Sequence, residues 1–400
     1  MCLRQNRWMG GFAACLAVVA CTVTAGSTAA QDKTKMEELG KQLFFDRNLS
    51  DPPGQSCAAC HAPEVGFTGP DSKLNAAGTV YPGAVHSRFG NRKPPASAYA
   101  GASPVLKYDS ARGAWVGGMF WDGRATGATL GDPLAEQAQG PFLNPLEQNV
   151  ANAKQLCTKV ARASYAPLFK EVWGPNSLDP VKDAAGTYER VARAIAAYER
   201  SPEVNPFSSK YDSFLKGEAK LTDQEASGLE LFNGKAKCAE CHTSQRGPAG
   251  EPPLFTDFGY DNLGLPKNPK NPFYGMPRKW NPDGAKWVDP GLGGYLKEAK
   301  YKPAEYESQW GKHKVPTLRN VDRRPTAATV KAFGHNGYFK SLEQIVSFYN
   351  TRDVGKWPPP EVPANVNKTQ LGNLGLTADE EAAVVAFLTT LTDGYVPAGK

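Results

Sequence analysis

Apolar residues recur at helical spacing in several separate stretches of this chain. From Thr187 to Arg200, Val191, Ala194, Ile195 and Tyr198 fall on one face, and Ser201-Pro202 ends the pattern. Asn152–Val172 and Leu342–Tyr349 read the same way. Near the C-terminus, Thr377 and Glu380 form a capping box ahead of Val384, Val385, Phe387, Leu388 and Leu391, which predicts a helix over Asp379–Leu391. Thr222 and Glu225 give the same start signal before Ser227-Gly228-Leu229-Glu230-Leu231-Phe232. That hexapeptide is a weak repeat of Leu39-Gly40-Lys41-Gln42-Leu43-Phe44, and each reads as a helix with one apolar face. No run alternates with the period of two that a strand requires. The fold class is therefore mainly α, with long irregular loops. The least regular part is Gly247 to Lys314, dense in Pro, Gly, Asn and Lys; a loop of that length is usually functional or held by a cofactor.

Two related helical units predict two domains. The polar stretch from Ser201 to Lys220 is the natural linker, giving 31–201 and 202–400, with the last helix free to pack back on the first domain. Residues 1–30 read as a secretory signal. Arg4 and Arg7 supply the positive start, Phe12 to Val23 the apolar segment, and Ser27-Thr28-Ala29-Ala30 the small-residue cleavage site. A lipoprotein site at Ala20-Cys21 is the weaker alternative. The apolar segment is too short to span a bilayer, so an exported, periplasmic protein with no membrane span is expected. The formal charge of +6 falls to +4 once Arg4 and Arg7 leave. That balance gives no argument for nucleic acid as a partner.

The cysteines then change the picture. Of eight, Cys2, Cys15 and Cys21 lie in the signal, and four stand in Cys57-Ala58-Ala59-Cys60-His61 and Cys238-Ala239-Glu240-Cys241-His242. Cys-x-x-Cys-His is the attachment signature of a c-type haem. Two thiols three positions apart can each add to one haem vinyl group, and the adjoining histidine ligates the iron from below. A thioredoxin-like pair would need a βαβ surround, and zinc would need four ligands in close register. Two covalently bound c-type haems are the reading, in two cytochrome c-like domains. Cys157 remains alone, so no intramolecular disulfide is expected, and it reads as a small buried hydrophobe. His86, His313 and His335 are the histidines outside the motifs, and Met36, Met119 and Met276 the methionines after the signal.

Four further segments stand in order with the haem motifs: Phe120-Trp121-Asp122-Gly123-Arg124, Leu134-Ala135-Glu136-Gln137-Ala138-Gln139-Gly140-Pro141, Asn144-Pro145-Leu146-Glu147 and Val315-Pro316-Thr317-Leu318-Arg319-Asn320. With them the chain resembles the bacterial di-haem cytochrome c peroxidase superfamily, to which MauG belongs, from about Leu39 to Leu391. The resemblance implies that the haem of Cys57, Cys60 and His61 is the peroxide site. Glu147 and Gln137 then line its distal face, where a carboxylate can carry a proton from the near to the departing peroxide oxygen. Trp121 falls on the tryptophan that relays electrons between the haems. Arg124 is open between a haem propionate and a surface ion pair.

In the same family a methionine ligates the second haem fourteen residues after the histidine of a His-x-Gly segment. His335-Asn336-Gly337 matches, and Tyr349 stands fourteen residues on. The implied iron ligands are His61, His242 and Tyr349, the last as in MauG-type proteins. A phenolate there favours high oxidation states, where a thioether would raise the potential. His86 is open between a loop residue that caps the first haem and a surface histidine. Calcium is a further candidate cofactor, although Lys93 stands where the family's asparagine ligand would be, with Asn91 two residues away. The implied partners are hydrogen peroxide and a small periplasmic donor such as a cytochrome c or cupredoxin, with homodimerisation open. A MauG-like oxidase acting on a partner protein's side chains and a non-enzymatic di-haem electron carrier are the alternatives.

Overall fold

The computed structural model describes residues 24–247 and 249–397. Arg4, Arg7 and Phe12–Val23 of the expected export signal lie outside the described residues, and Thr24 opens the first helix, α1 (Thr24–Phe45). The remaining principal helices are α2 (Pro133–Leu143), α3 (Ala153–Ala161), α4 (Ala166–Trp173), α5 (Ala184–Glu199), α6 (Asp223–Asn233), α7 (Leu342–Thr351) and α8 (Ala378–Thr389). Both capping boxes form: the Thr222 and Thr377 side chains accept from the Glu225 and Glu380 amides, and each glutamate returns a bond.

The single helix expected over Asn152–Val172 is two. α3 closes at Arg162 and α4 opens with a proline, Pro167, in its first turn. A proline inside a helix removes an amide and clashes with the preceding turn, so the break falls there. Among the described residues there are also two short antiparallel pairs that the hydropathy pattern did not announce. Lys107–Asp109 pairs with Ala114–Val116, and Tyr260–Asp261 with His313–Lys314. The second pair ties together two distant parts of the irregular stretch between Gly247 and Lys314.

The internal repeat has a packing cause. α1 crosses α5 so closely that a Cβ on Gly40 would lie 1.9 Å from the Ala194 carbonyl oxygen. α6 crosses α8 in the same way, with a Cβ on Gly228 1.9 Å from the Ala383 oxygen. Each crossing continues onto an aromatic, Tyr198 or Phe387, both buried. One apolar cluster is built around Leu39, Phe44, Val191 and Tyr198, and another around Phe232, Phe348, Phe387 and Leu391. The last helix, expected to be free to pack back on the first half, is held on α6 by this glycine contact. The turn beyond it reaches the first half, where Asp393 accepts from the Tyr99 hydroxyl at 2.7 Å.

Gly228→Ala should cost about 1–3 kcal/mol or more, because backbone rather than a flexible side chain blocks the new methyl group. A thermal melt of the purified protein would show a Tm lowered by several degrees; an unchanged Tm would contradict the crossing.

Candidate haem sites

Each Cys-x-x-Cys-His motif forms the same local device. Cys57–Ala59 and Cys238–Glu240 are single 3₁₀ turns, and the histidine that follows donates its amide to the first cysteine's carbonyl, at 3.0 Å for His61 and 2.9 Å for His242. His61 Nδ1 lies 3.2 Å from the Phe67 carbonyl and His242 Nδ1 2.8 Å from that of Phe255. A carbonyl can only accept, so Nδ1 carries the proton and Nε2 keeps the lone pair a metal needs. Both accepting residues are phenylalanines in the left-handed region, with φ 57° and 53°. That conformation costs about 1 kcal/mol and persists where a site demands it.

Burial pushes His61 down to about 4 and lowers His242 as well, so both imidazoles are neutral. Burial pushes Cys60, Cys238 and Cys241 up to about 12 and raises Cys57 too. No disulfide joins the motif cysteines. Among the described residues no motif cysteine joins a cluster with metal-ligand spacing, so neither turn forms a ready zinc site. Two cysteines unpaired in any disulfide and an imidazole with Nε2 unprotonated, beside a largely apolar cavity, fit a covalently attached haem at each motif.

The first cavity is bounded by Cys57, Cys60 and His61 and also by Gln137, Glu147 and Trp121. Gln137 comes from α2, whose N-cap is the Asp132 side chain, and Glu147 from the turn after it. Desolvation raises the Glu147 carboxyl above its ordinary range, opposed by the charge of Arg124 and a hydrogen bond from Asn144. Its backbone is pinned, since the Glu147 carbonyl accepts from the Ala84 amide at 2.7 Å. Arg124 lines the cavity, pairs with Asp122 at 2.9 Å and stacks 3.7 Å from the centroid of Phe120.

Two residues of this cavity escaped the sequence reading. Gln148 is buried with its amide 3.9 Å from Cys57 Sγ. Glu199 is buried, and desolvation pushes it up to about 8. A signal for Glu199 existed: it stands four residues after Ile195, a carboxyl on an otherwise apolar helix face. His86 is exposed and lines neither cavity.

The second cavity is bounded by Cys238, Cys241, His242 and Tyr349. Tyr349 lies on α7 and packs against Phe348. Its hydroxyl makes no hydrogen bond among the described residues, and burial raises the phenol above its ordinary value. A bound cation inverts that preference and favours the phenolate.

Between the cavities, Trp121 borders both. Its indole Nε1 donates to the Lys93 carbonyl at 2.8 Å, and its own carbonyl accepts from the Lys314 amide at 2.9 Å. His313 and His335 stack with centroids 3.6 Å apart and form a buried cluster with Asp289. Arg92 takes both Asp289 oxygens at 2.6 Å and reaches Asp122 at 2.5 Å. The guanidinium holds Asp289 well below the carboxylate range and balances its charge. Arg92 and Asp289 are 197 residues apart, so no local pattern could have paired them.

A helix-rich chain with two such turns, each on its own cavity, has the make-up of a c-type cytochrome with two haems. The comparisons with known proteins narrow this. A family model described as di-haem cytochrome c peroxidase matches residues 34–220. The methylamine utilization protein MauG of Paracoccus denitrificans is 36% identical over 400 residues, covering 95% of each chain. The cytochrome c551 peroxidase of Nitrosomonas europaea is 29% identical over 366 residues, 90% of this chain and 81% of its own. The crystal structure of the diheme peroxidase BthA from Burkholderia thailandensis matches with a TM-score of 0.73 at 32% identity, covering 90% of this chain and 86% of that one. The chain belongs to the di-haem cytochrome c peroxidase family, a family of oxidoreductases. No helix among the described residues is long and apolar enough to cross a membrane.

Proposed function

We propose that this chain is a periplasmic peroxidase that reduces hydrogen peroxide to two waters, using two protons and two electrons from a small cytochrome c or cupredoxin. The observation that carries the reading is the inequality of the two cavities. Glu147 and Gln137 border the cavity of His61, whereas Tyr349 borders that of His242. On this reading 31–201 is the peroxide-handling domain and 202–400 the electron-transfer domain, both cytochrome c-like. Haem iron, when bound, supplies the electrons that break the O–O bond.

The protein's share is acid–base work and positioning. Glu147 takes the proton from the near peroxide oxygen and returns it to the departing one, and its desolvated carboxyl is tuned for that exchange. Gln137, which cannot ionise, orients the peroxide by hydrogen bonding. When haem is bound, His61 and His242 would hold the irons through Nε2, and Tyr349 would be the further ligand of the second. Trp121, packed between the cavities and fixed through its indole N–H, carries electrons across. Lys93 brings an ammonium to the place where the family resemblance expects the asparagine ligand of calcium, which works against the ion there.

A second reading, oxidation of a partner protein's side chains, is favoured by one observation, the 36% identity to MauG. A steady-state assay separates the two. The peroxidase reading expects two reduced one-electron donors to be oxidised for each peroxide consumed. No peroxide-dependent oxidation of any small redox protein would overturn it.

A further inference from the structure

Three lysines, Lys331 buried and Lys93 and Lys314 half-buried, gather where the two cavities meet. Lys93 lines both, while Lys314 and Lys331 line the second. Their ammonium groups bond only to neutral oxygens. Lys93 Nζ donates to Thr68 Oγ1 at 3.0 Å and the Pro94 carbonyl at 3.1 Å. Lys331 Nζ donates to the carbonyls of Val65, Asn320 and Arg323 at 2.8, 3.2 and 2.9 Å, and Lys314 Nζ to that of Gly117 at 2.9 Å. Among the described residues none of the three forms an ion pair with a carboxylate. Asp257 and Asp322 act on Lys314 and Lys331 only at a distance, and the neighbouring charge felt by Lys93 is the like charge of Lys340.

Burial pushes Lys93 down to about 8 and Lys314 and Lys331 to about 7. A cation without a counter-charge is costly inside a protein. The missing charge is one the cofactors bring, since each haem carries two propionate carboxylates. Lys93 is also tied by its backbone to both sides of the junction. Its amide donates to the His335 carbonyl at 2.9 Å and its carbonyl accepts from Trp121.

We propose that Lys93 is a cation shared by the two haems, one ammonium between the cavities that balances negative charge from both and holds both reduction potentials up. A positive charge in a poorly screened site stabilises the form with the extra electron, so its removal lowers the potential of whichever haem feels it. Lys314, which borders the second cavity alone, affects that haem only.

The inference rests on haem filling both cavities, which the haem content of the purified protein measures separately. Spectroelectrochemical titration of the haem-loaded native protein and of the Lys93→Gln, Lys93→Arg and Lys314→Met variants tests it. Glutamine keeps a donor for Thr68 and Pro94 and removes only the charge, so a loss of fold is not the expected readout. Lys93→Gln should move both midpoints to lower potential, Lys93→Arg should restore them, and Lys314→Met should move the second alone. Unchanged midpoints in Lys93→Gln, or a shift of one haem only, would overturn the shared role. A native protein with fewer than two haems would remove its footing altogether.

Discussion

Glu147→Gln should leave both haems attached and slow peroxide consumption by about 10²–10⁴-fold, the usual contribution of a positioned acid–base group. Glutamine nearly matches glutamate in size, so the cavity keeps its shape and loses only the ability to accept and return a proton. The pH profile gives a second readout. Burial raises the Glu147 carboxyl, so the carboxylate that accepts the first proton disappears as pH falls through that raised value. Native activity should therefore decline on the acid side, beginning above the ordinary glutamate range, and the variant should lack that limb. Turnover equal to the native rate, or an unchanged acid limb, would refute the role.

Tyr349→Met should raise the potential of the second haem by on the order of tenths of a volt, since axial ligands set haem potentials over about 0.8 V and a thioether favours the reduced iron. The phenol lies half-buried on α7 at the cavity of Cys238 and Cys241, and desolvation there disfavours a free phenolate. Only a cation at the site reverses that balance. Tyr349→Phe removes the oxygen altogether and should abolish the low-spin signature of this haem. An unaltered potential in the methionine variant, with an unaltered spectrum in the phenylalanine variant, would show that Tyr349 merely packs beside Phe348.

What the sequence disclosed and what it hid follow from the range of each interaction. Capping boxes at Thr222 and Thr377 are three-residue signals, and both formed. Helical periodicity located α5 and α7, with ends displaced by up to three residues, because caps such as Asp183 lie outside the apolar pattern. The break between α3 and α4 was written in Pro167 and outweighed by the apolar positions around it. The glycine crossings explain the internal repeat, yet a glycine in a helical pattern does not say which helix it will meet. The motif cysteines and histidines were legible because covalent attachment demands fixed spacing.

The junction between the cavities was not legible. Arg92 with Asp289, and the stacked pair His313 and His335, join segments far apart in the chain. Lys93 gave no sign of its place at both cavities, since a lysine in a Pro-rich loop is ordinarily solvated. The meeting of Gln137 and Glu147 at one cavity could be expected from the family resemblance, and from spacing alone it could not.

The central claim is that the two haems are unequal, one open beneath Glu147 and one closed by Tyr349. Electron paramagnetic resonance of the oxidised protein, before and after one equivalent of hydrogen peroxide, tests it most directly. The account predicts one high-spin and one low-spin signal at rest, with both altered by peroxide. Two low-spin signals that peroxide leaves unchanged would contradict it.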